Sequence, residues 1–304
     1  MEPIYLFLHI PRTGGTSLEY AVGHWLDRHN DRYLKHYHYV QNFSDMMYNN
    51  KHIPTLVNRT TQQQKQLRIL TGHSIFCNSH RWLRVQREPK IFSYIRHPIY
   101  RLLSSFNYRH MAASLSQDPI SFSCLTPFMN ENACHQTKTA QDYETLWEYY
   151  NDCNFEHNLQ CKWLIKSFCN YNYTNKTWEM HPIYLFGPDA RVPVEQAAPI
   201  TWPEWMFRTP MENVNWYEMA KTFFDKIWWL SRLEMIDDHL EGLCKHMKIE
   251  YCETPVQNKS ETDTCPKYWT IEDVMKQPDI DKLIEAEKYD FQLYEAAKNW
   301  TRPF

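Results

Sequence analysis

The sequence predicts an α/β protein in which helices flank a central parallel sheet. Short apolar runs, typical of buried strands, alternate with amphipathic helical patterns. The runs are almost continuously apolar rather than alternating, which favours parallel strands covered on both faces. The predicted strands are Ile4–Leu8, Leu67–Leu70, Ile91–Ile95, Ile183–Phe186 and Ile227–Leu230.

Amphipathic patterns between these strands predict the helices. One apolar stripe over 18–26 follows the first strand directly, and another over 236–247 follows the last. Near the C-terminus, Thr270 and Asp273 have the spacing of a capping box. Apolar residues over 283–294 then predict further helix.

Length and composition favour one domain over 1–304. The chain has 304 residues, 43% of them hydrophobic, and a formal net charge of −3. This is enough material for a large buried core, and the balance of charge argues against a protein that coats nucleic acid. No run of about eighteen apolar residues predicts a membrane span. Polar segments near 40–66 and 112–182 are predicted as insertions that leave the sheet.

Cysteines and asparagines together predict an oxidising compartment of the secretory pathway. The chain has nine cysteines, and disulfides persist in such compartments. Cys124 with Cys134, and Cys153 with Cys161, are candidate pairs within these insertions, and a third group lies near the C-terminus (Cys244, Cys252 and Cys265). Six Asn-x-Ser/Thr triplets point the same way, at Asn42, Asn58, Asn172, Asn175, Asn258 and Asn299.

The turn after the first predicted strand has the composition of a phosphate-binding loop. Two of only six glycines, Gly14 and Gly15, stand together here and open an amphipathic helix. Paired glycines suit a tight turn or a close approach of a ligand, and a helix N-terminus attracts anions. Arg12 adds a positive charge, and three hydroxyl side chains add donors (Thr13, Thr16 and Ser17). The loop is neither GxxxxGK[ST] nor GxGxxG.

A second strand-to-helix corner carries another anion-binding pattern. Arg96 stands at the end of the Ile91–Ile95 strand, and Pro98 pre-sets the backbone for a helix start. Ser104 follows two helical turns beyond Arg96. An arginine fork with a nearby hydroxyl suits a phosphate monoester, because a guanidinium can bind two oxygens at once.

His73 is the candidate general base. It ends the Leu67–Leu70 strand segment after Gly72, at the edge where ligands bind to open α/β sheets. An unperturbed imidazole titrates near pH 6.5, so a neutral ring is available to accept a proton. The competing interpretation is a histidine that only closes the strand end through a backbone bond.

The segment His9-Ile-Pro-Arg-Thr-Gly-Gly-Thr16 resembles the 5′-phosphosulfate loop of sulfotransferases that use 3′-phosphoadenosine 5′-phosphosulfate (PAPS). The segment around Arg96 and Ser104 resembles their 3′-phosphate motif. Within that group, the likeness is greatest to Golgi carbohydrate sulfotransferases of the heparan sulfate 2-O and 6-O type. Asp290-Phe-Gln-Leu-Tyr-Glu-Ala-Ala297 resembles their C-terminal helix, and Asn158-Leu-Gln160 resembles the family more weakly.

The resemblance implies a P-loop-like sulfotransferase fold with disulfide-containing insertions. It implies PAPS as the sulfuryl donor, PAP as the product, no metal, and transfer to a glycan hydroxyl, with heparan sulfate as the expected kind of acceptor. The catalytic base of the 2-O enzymes carries over to His73. The family also implies the Golgi lumen and a type II membrane anchor upstream of Met1.

Two residues depart from the family pattern. Arg12 stands where the family usually has lysine, and His97 stands where it usually has aspartate. Arginine still binds a phosphosulfate, although it suits a compact contact with one bridging oxygen less well. The missing carboxylate at His97 leaves the role of Arg101 open.

The sequence is also compatible with other functions. Some tyrosylprotein sulfotransferases have a similar Pro-Arg-Thr-Gly-Gly loop, so an acidic peptide is the alternative acceptor. A non-catalytic PAPS- or glycan-binding protein is the alternative of a different class. His36-Tyr-His38 lacks the spacing of a strong zinc site. Basic residues beside the two motifs are candidates for a wall that holds an anionic glycan (Arg81, Arg84, Arg87, Lys90 and Arg109).

Overall fold

The computed structural model describes residues 2–19, 21, 37–39, 60–73, 75–77, 79–83, 85–116, 140–153, 156–172, 177–180, 214–249, 268–301 and 303. Its strands are β1 (Ile4–Leu8), β2 (Tyr37–Tyr39), β3 (Ile69–Gly72), β4 (Pro89–Ile95), β5 (Cys169–Asn172), β6 (Thr177–Met180) and β7 (Ile227–Arg232). Its α-helices are α1 (Gly15–Glu19), α2 (Thr61–Gln66), α3 (Pro98–Ser116), α4 (Leu146–Asp152), α5 (Leu159–Phe168), α6 (Trp216–Lys221), α7 (Ile236–Met247), α8 (Ile271–Met275), α9 (Ile280–Ala286) and α10 (Lys288–Lys298). Short 3-10 turns lie at Ser79–Trp82, Ala140–Asp142, Phe224–Lys226 and Leu233–Met235.

Five strands form one sheet in the order β2-β3-β1-β4-β7, and every neighbouring pair is parallel. The predicted α/β class with a central parallel sheet and flanking helices is therefore confirmed. β1 lies at the centre, between β3 and β4, and all five of its residues are buried. The loops that leave β1, β3 and β4 consequently start side by side at one edge of the sheet.

Both faces of the sheet are covered, which explains the nearly continuous apolar runs. Ile4, Leu6 and Leu8 pack with residues of α5 and α10 in one cluster. Tyr5 and Phe7 point to the other face and pack with residues of α7. Because successive side chains of a strand alternate between faces, both sets must be apolar.

The predicted elements and the observed ones differ mainly at strand ends and edges. β3 begins at Ile69 rather than Leu67, and β7 runs on to Arg232. β2 was not predicted, because three residues at the sheet edge, Tyr37–Tyr39, give too short a pattern to recognise. Ile183–Phe186 lies outside the described residues, as do 22–26 of the first predicted helix.

The segment 112–182, predicted as an excursion from the sheet, supplies part of the core. Every residue of α5 is buried, and Trp163 and Leu164 belong to the cluster on one face of the sheet. The antiparallel pair β5–β6 follows α5 directly. Phe106, which lies in α3, stacks on Trp269 at 4.5 Å between ring centroids, so the C-terminal part of the chain packs against α3.

The predicted Cys153–Cys161 disulfide is wrong. The Cys161 thiol is free and buried inside α5, where its Sγ donates to the carbonyl of Tyr289 at 3.3 Å. Cys169 also carries a free thiol. The other predicted pair, Cys124 and Cys134, lies outside the described residues, as do Cys252 and Cys265. Where the structure describes the chain, it contains no helix with the length and apolar character needed to cross a bilayer.

Candidate active site

The three loops at the sheet edge bring the predicted site residues together. The loop after β1 carries His9 through Ser17, β3 leads into His73, and β4 leads into Arg96. These three strands are neighbours and parallel, so their carboxyl ends share one edge. Ser104 reaches the same place from α3, two turns after the β4 corner.

The loop after β1 needs glycine at Gly14. The backbone of Gly14 has a φ of 83°, and a Cβ there would overlap the Leu233 side chain. Arg12 also lies in the left-handed region, with a φ of 65°, which is uncommon for a residue with a side chain. The Thr13 hydroxyl is buried and donates to Ile10 O at 2.9 Å, so it holds the loop rather than facing outward.

The start of α1 presents backbone donors. The helical bond from Leu18 N–H to Gly14 O has a length of 3.1 Å. The N–H groups of Gly15, Thr16 and Ser17 precede it in the first turn, where N–H groups have no acceptor within the helix. Thr16 and Ser17 are half-buried in this first turn. The predicted donors of the loop thus stand on one short segment beside Arg12.

Arg12 joins the first loop to α3. Its Nε and Nη2 donate to Ser104 Oγ at 3.2 and 3.1 Å. Its guanidinium carbon lies 4.4 Å from the centroid of the Tyr108 ring, one turn further along α3. The two residues that the sequence assigned to separate phosphate motifs are therefore in direct contact.

Arg96 converges on the same point. Its Nη1 donates to the carbonyl of Arg12 at 3.3 Å. Burial lowers the pKa of Arg12 to about 10, and the positive charge of Arg96 contributes to that shift. Burial also lowers the pKa of Arg96, which Glu234 partly opposes. Two neighbouring guanidinium groups in a desolvated place favour an anion between them.

Gly15 allows His9 to lie against the loop. A Cβ on Gly15 would overlap the His9 imidazole, which is only 5% exposed. The His9 ring also lies 4.0 Å from the His73 ring, measured between centroids. His9 therefore forms the direct contact between the glycine loop and His73.

The hydrogen bonds of His73 define its tautomer. Its Nδ1 lies 2.9 Å from the carbonyl of His9, and since a carbonyl only accepts, Nδ1 carries the proton. Burial, followed by the effect of His9, holds the pKa of His73 well below its usual range. The ring is neutral at neutral pH, so Nε2 has a lone pair and can accept a proton.

Two neighbours restrict the movement of the His73 segment. Lys166 Nζ donates to the carbonyl of His73 at 3.1 Å and lies 4.0 Å from the centroid of the Trp163 ring. Trp163 also meets the His73 ring edge-on at 5.8 Å. Both residues belong to α5, so contacts from this buried helix hold the backbone and the ring of the candidate base in place.

Arg101, whose role the sequence left undefined, is buried and pairs with a carboxylate. Its side chain is fully buried and its Nη1 donates to Glu156 Oε2 at 2.6 Å. Ser105 and Tyr149 donate to the other carboxylate oxygen of Glu156 at 2.7 and 3.1 Å. Arg101 therefore belongs to a buried ion pair with Glu156. Sequence reasoning missed Glu156, because nothing local marks it.

The predicted basic wall is wrong at Arg87. That side chain is buried, and its Nε donates to the carbonyl of Glu2 at 2.9 Å, with further donations to Pro3 and Leu67. Its role is to fasten the start of β1 to the segment before β3. The side chains of Arg81, Arg84 and Arg109 lie outside the described part of the structure.

Among the described residues, no group of three histidine, cysteine or acidic side chains is arranged to hold a metal ion. Comparison with protein-family models gives no match, and no curated protein is significantly similar to this chain.

Proposed function

We propose that this chain is a PAPS-dependent O-sulfotransferase with a P-loop-like fold. The observation that carries the proposal is the convergence of Arg12, Arg96 and Ser104 beside a neutral His73 with an unprotonated Nε2. The sequence resemblance suggests the same chemistry, and the contacts on the sheet edge support it.

The residues at this edge fit a nucleotide with two separate phosphate groups. Arg96 and Ser104 suit a 3′-phosphate monoester, because one supplies a guanidinium and the other a hydroxyl. Arg12 and the N–H groups of Gly15 to Ser17 suit the 5′-phosphosulfate. Arg12 connects the two sets, since it lies in the glycine loop and its side chain contacts Ser104.

His73 supplies the base for an in-line transfer. Its Nε2 takes the proton of the acceptor hydroxyl while the acceptor oxygen forms a bond to sulfur. The bond between sulfur and the 5′-phosphate oxygen breaks, and PAP leaves with the electron pair. Arg12 stabilises the negative charge that develops on the leaving phosphate. Most of the acceleration comes from positioning and electrostatics, as in phosphoryl transfer.

The proposed acceptor is a hydroxyl of an anionic glycan, with heparan sulfate as the first to be tested, in the Golgi lumen. The resemblance of the His9–Thr16 segment to carbohydrate sulfotransferases supports a glycan. Sulfation of tyrosine in acidic peptides and binding without catalysis are the alternative outcomes.

A transfer assay with radiolabelled PAPS separates these possibilities. The acceptor panel contains desulfated heparan sulfate, other glycosaminoglycans and acidic tyrosine peptides, and PAP binding is measured in parallel by calorimetry. Label in a glycan supports the proposal, and label only in peptides supports tyrosine sulfation. PAP binding without label in any acceptor supports the non-catalytic protein.

Two variants test the residue assignments. His73→Ala is expected to bind PAP normally but to lose roughly 10²- to 10⁴-fold in kcat, the usual contribution of a general base. Arg96→Ala is expected to weaken PAP binding. Near-normal turnover in His73→Ala excludes it as the base, and unchanged PAP affinity in Arg96→Ala excludes the 3′-phosphate assignment.

A further inference from the structure

The side chain of Gln160 holds the main chain of Arg96 at two points. Arg96 N–H donates to Gln160 Oε1 at 2.8 Å, and Gln160 Nε2 donates to Arg96 O at 2.9 Å. The pairing of β4 with β7 ends at Ile95 opposite Arg232, so these bonds begin where the strand pairing stops. A two-point bond fixes the direction in which the chain leaves β4, and with it the origin of the Arg96 side chain.

Gln160 is itself held by a buried carboxylate. The N–H groups of Gln160 and Cys161 donate to the two carboxylate oxygens of Asp290 at 2.9 and 2.8 Å. Both Gln160 and Asp290 are fully buried. A carboxylate at the N-terminus of α5 satisfies N–H groups that lack helical partners and complements the helix dipole. These two bonds fix the N-terminal end of α5, and therefore also the backbone from which the Gln160 side chain extends.

Asn158 completes the attachment of α5 to the C-terminal helices. Its Oδ1 accepts from the N–H groups of Tyr289 and Asp290 at 3.1 and 3.2 Å. Its Nδ2 donates to Ala286 O at 2.8 Å. The junction of α9 and α10, the start of α5 and the backbone of Arg96 thus form one continuous set of hydrogen bonds.

We infer that Gln160, supported by Asp290, is a positioning residue that directs Arg96 toward the 3′-phosphate, an inference that rests on the proposed function. A buried amide costs free energy unless both of its ends are bonded, and an apolar side chain of similar size would fill the same space. The specific contribution of the amide here is its pair of bonds to Arg96. Through those bonds it selects the geometry of the phosphate contact without touching the nucleotide.

Gln160→Met is the test variant, because it keeps the side-chain volume and removes both bonds to Arg96. Gln277→Met is the matched control, because Gln277 also bonds a backbone N–H, that of Leu146 at 2.8 Å, but at the start of α4. Affinity is measured by calorimetry for PAP and for adenosine 5′-phosphate, which lacks the 3′-phosphate. Thermal unfolding of each variant is recorded alongside.

We expect Gln160→Met to bind PAP about tenfold more weakly and adenosine 5′-phosphate within about twofold of the wild type, as for a misdirected charge-assisted contact. In an Arg96→Ala background, Gln160→Met should have almost no further effect on PAP. Gln277→Met should leave both affinities unchanged. If Gln160→Met does not fold, Gln160→Glu provides the test: it keeps the acceptor for Arg96 N–H, loses the donor, and should also weaken PAP selectively.

The outcomes separate the two levels of the proposal. A wild-type protein that binds PAP, with variants that bind it equally well, overturns the positioning role and leaves the proposed function intact. Equal losses for both nucleotides, or additive losses with Arg96→Ala, also overturn the positioning role. A wild-type protein that does not bind PAP overturns the proposed function and this inference together.

Discussion

His73 has one ring nitrogen, Nδ1, bonded to the backbone, which leaves the other, Nε2, without a proton in the neutral ring. The bond from Nδ1 to His9 O fixes the proton on Nδ1, and burial keeps the ring neutral. Neither feature follows from the position of His73 in the sequence, since the partner is a carbonyl on a neighbouring strand end. The residue type and its place at the sheet edge were predictable, whereas the tautomer was not.

The lowered pKa of His73 predicts an unusual pH profile for kcat/KM. Protonation of the ring would remove the proposed base, so the proposed transfer should slow as the pH drops through the pKa of His73. Because burial lowers that pKa, the rate should stay level down to about pH 6.5, the ordinary histidine pKa, and decline only below it. Initial rates with saturating PAPS and with acceptor well below its KM, with circular dichroism at each pH to exclude unfolding, provide the measurement. An acid limb centred at or above the ordinary pKa contradicts this environment for His73.

Replacement of Gly15 by alanine is predicted to destabilise the protein because of His9. A methyl group at Gly15 would overlap the His9 imidazole, which in turn contacts His73. We expect Gly15→Ala to lower the free energy of unfolding by about 1–3 kcal/mol, as overpacking usually does. Urea denaturation of Gly15→Ala, His9→Ala and the double variant measures the coupling.

The His9→Ala background should reduce the cost of Gly15→Ala by more than half, because the overlap is removed. Gly242→Ala is the control: Gly242 lies inside α7 without a positive φ, where alanine favours the helix. A Gly15→Ala cost that is the same in both backgrounds would show that His9 is not its cause.

At the scale of elements, the Arg101–Glu156 pair attaches α3 to the segment before α5. Both side chains are fully buried and 2.6 Å apart, with two further donors on Glu156. Breaking a buried pair leaves an uncompensated charge, so we expect Glu156→Gln to lower the free energy of unfolding by about 3–5 kcal/mol. Urea denaturation of purified variants measures this loss.

Two comparisons give this prediction its control. Adding Arg101→Met to Glu156→Gln should recover part of the stability, because the guanidinium that has lost its Glu156 partner is then removed as well. Glu295→Gln removes an exposed partner of Lys298 in α10 and should change stability little. If Glu156→Gln and Glu295→Gln cost the same, the buried pair is not a principal support of α3.

The sequence predicted elements better than the contacts between them. Apolar content identified β1, β4 and β7, and the spacing of Thr270 and Asp273 identified the cap that α8 has. By contrast, Gln160 and Glu156 act through partners 64 and 55 residues away, respectively. Such partners are set by the packing of α5 against the sheet, and no local pattern contains that information.

For the whole molecule, the parallel order β2-β3-β1-β4-β7 explains why two separate motifs lie side by side at one edge of the sheet. The glycine loop and the Arg96 corner follow neighbouring strands, so they meet although 84 residues separate Arg12 and Arg96. The cysteine argument for an oxidising compartment is weaker than the sequence suggested, because Cys161 and Cys169 are free thiols. The Asn-x-Ser/Thr triplets therefore become the more useful guide to compartment.

Asn299 offers a direct test of the secretory compartment. It is exposed at the end of α10, within Asn299-Trp300-Thr301, and its Nδ2 donates to the carbonyl of Glu295 at 3.1 Å. If the chain folds in the secretory lumen, we expect this side chain to carry an N-linked glycan. Mass spectrometry of the peptide containing Asn299, from protein isolated from its own cells and treated with peptide-N-glycosidase F, should show conversion of Asn299 to aspartate.

Thr301→Ala should abolish that conversion and Thr301→Ser should retain it, because the acceptor motif needs a hydroxyl two residues after the asparagine. An unmodified Asn299, together with unmodified asparagines at the other triplets, contradicts a lumenal location and would move the search for an acceptor away from lumenal glycans.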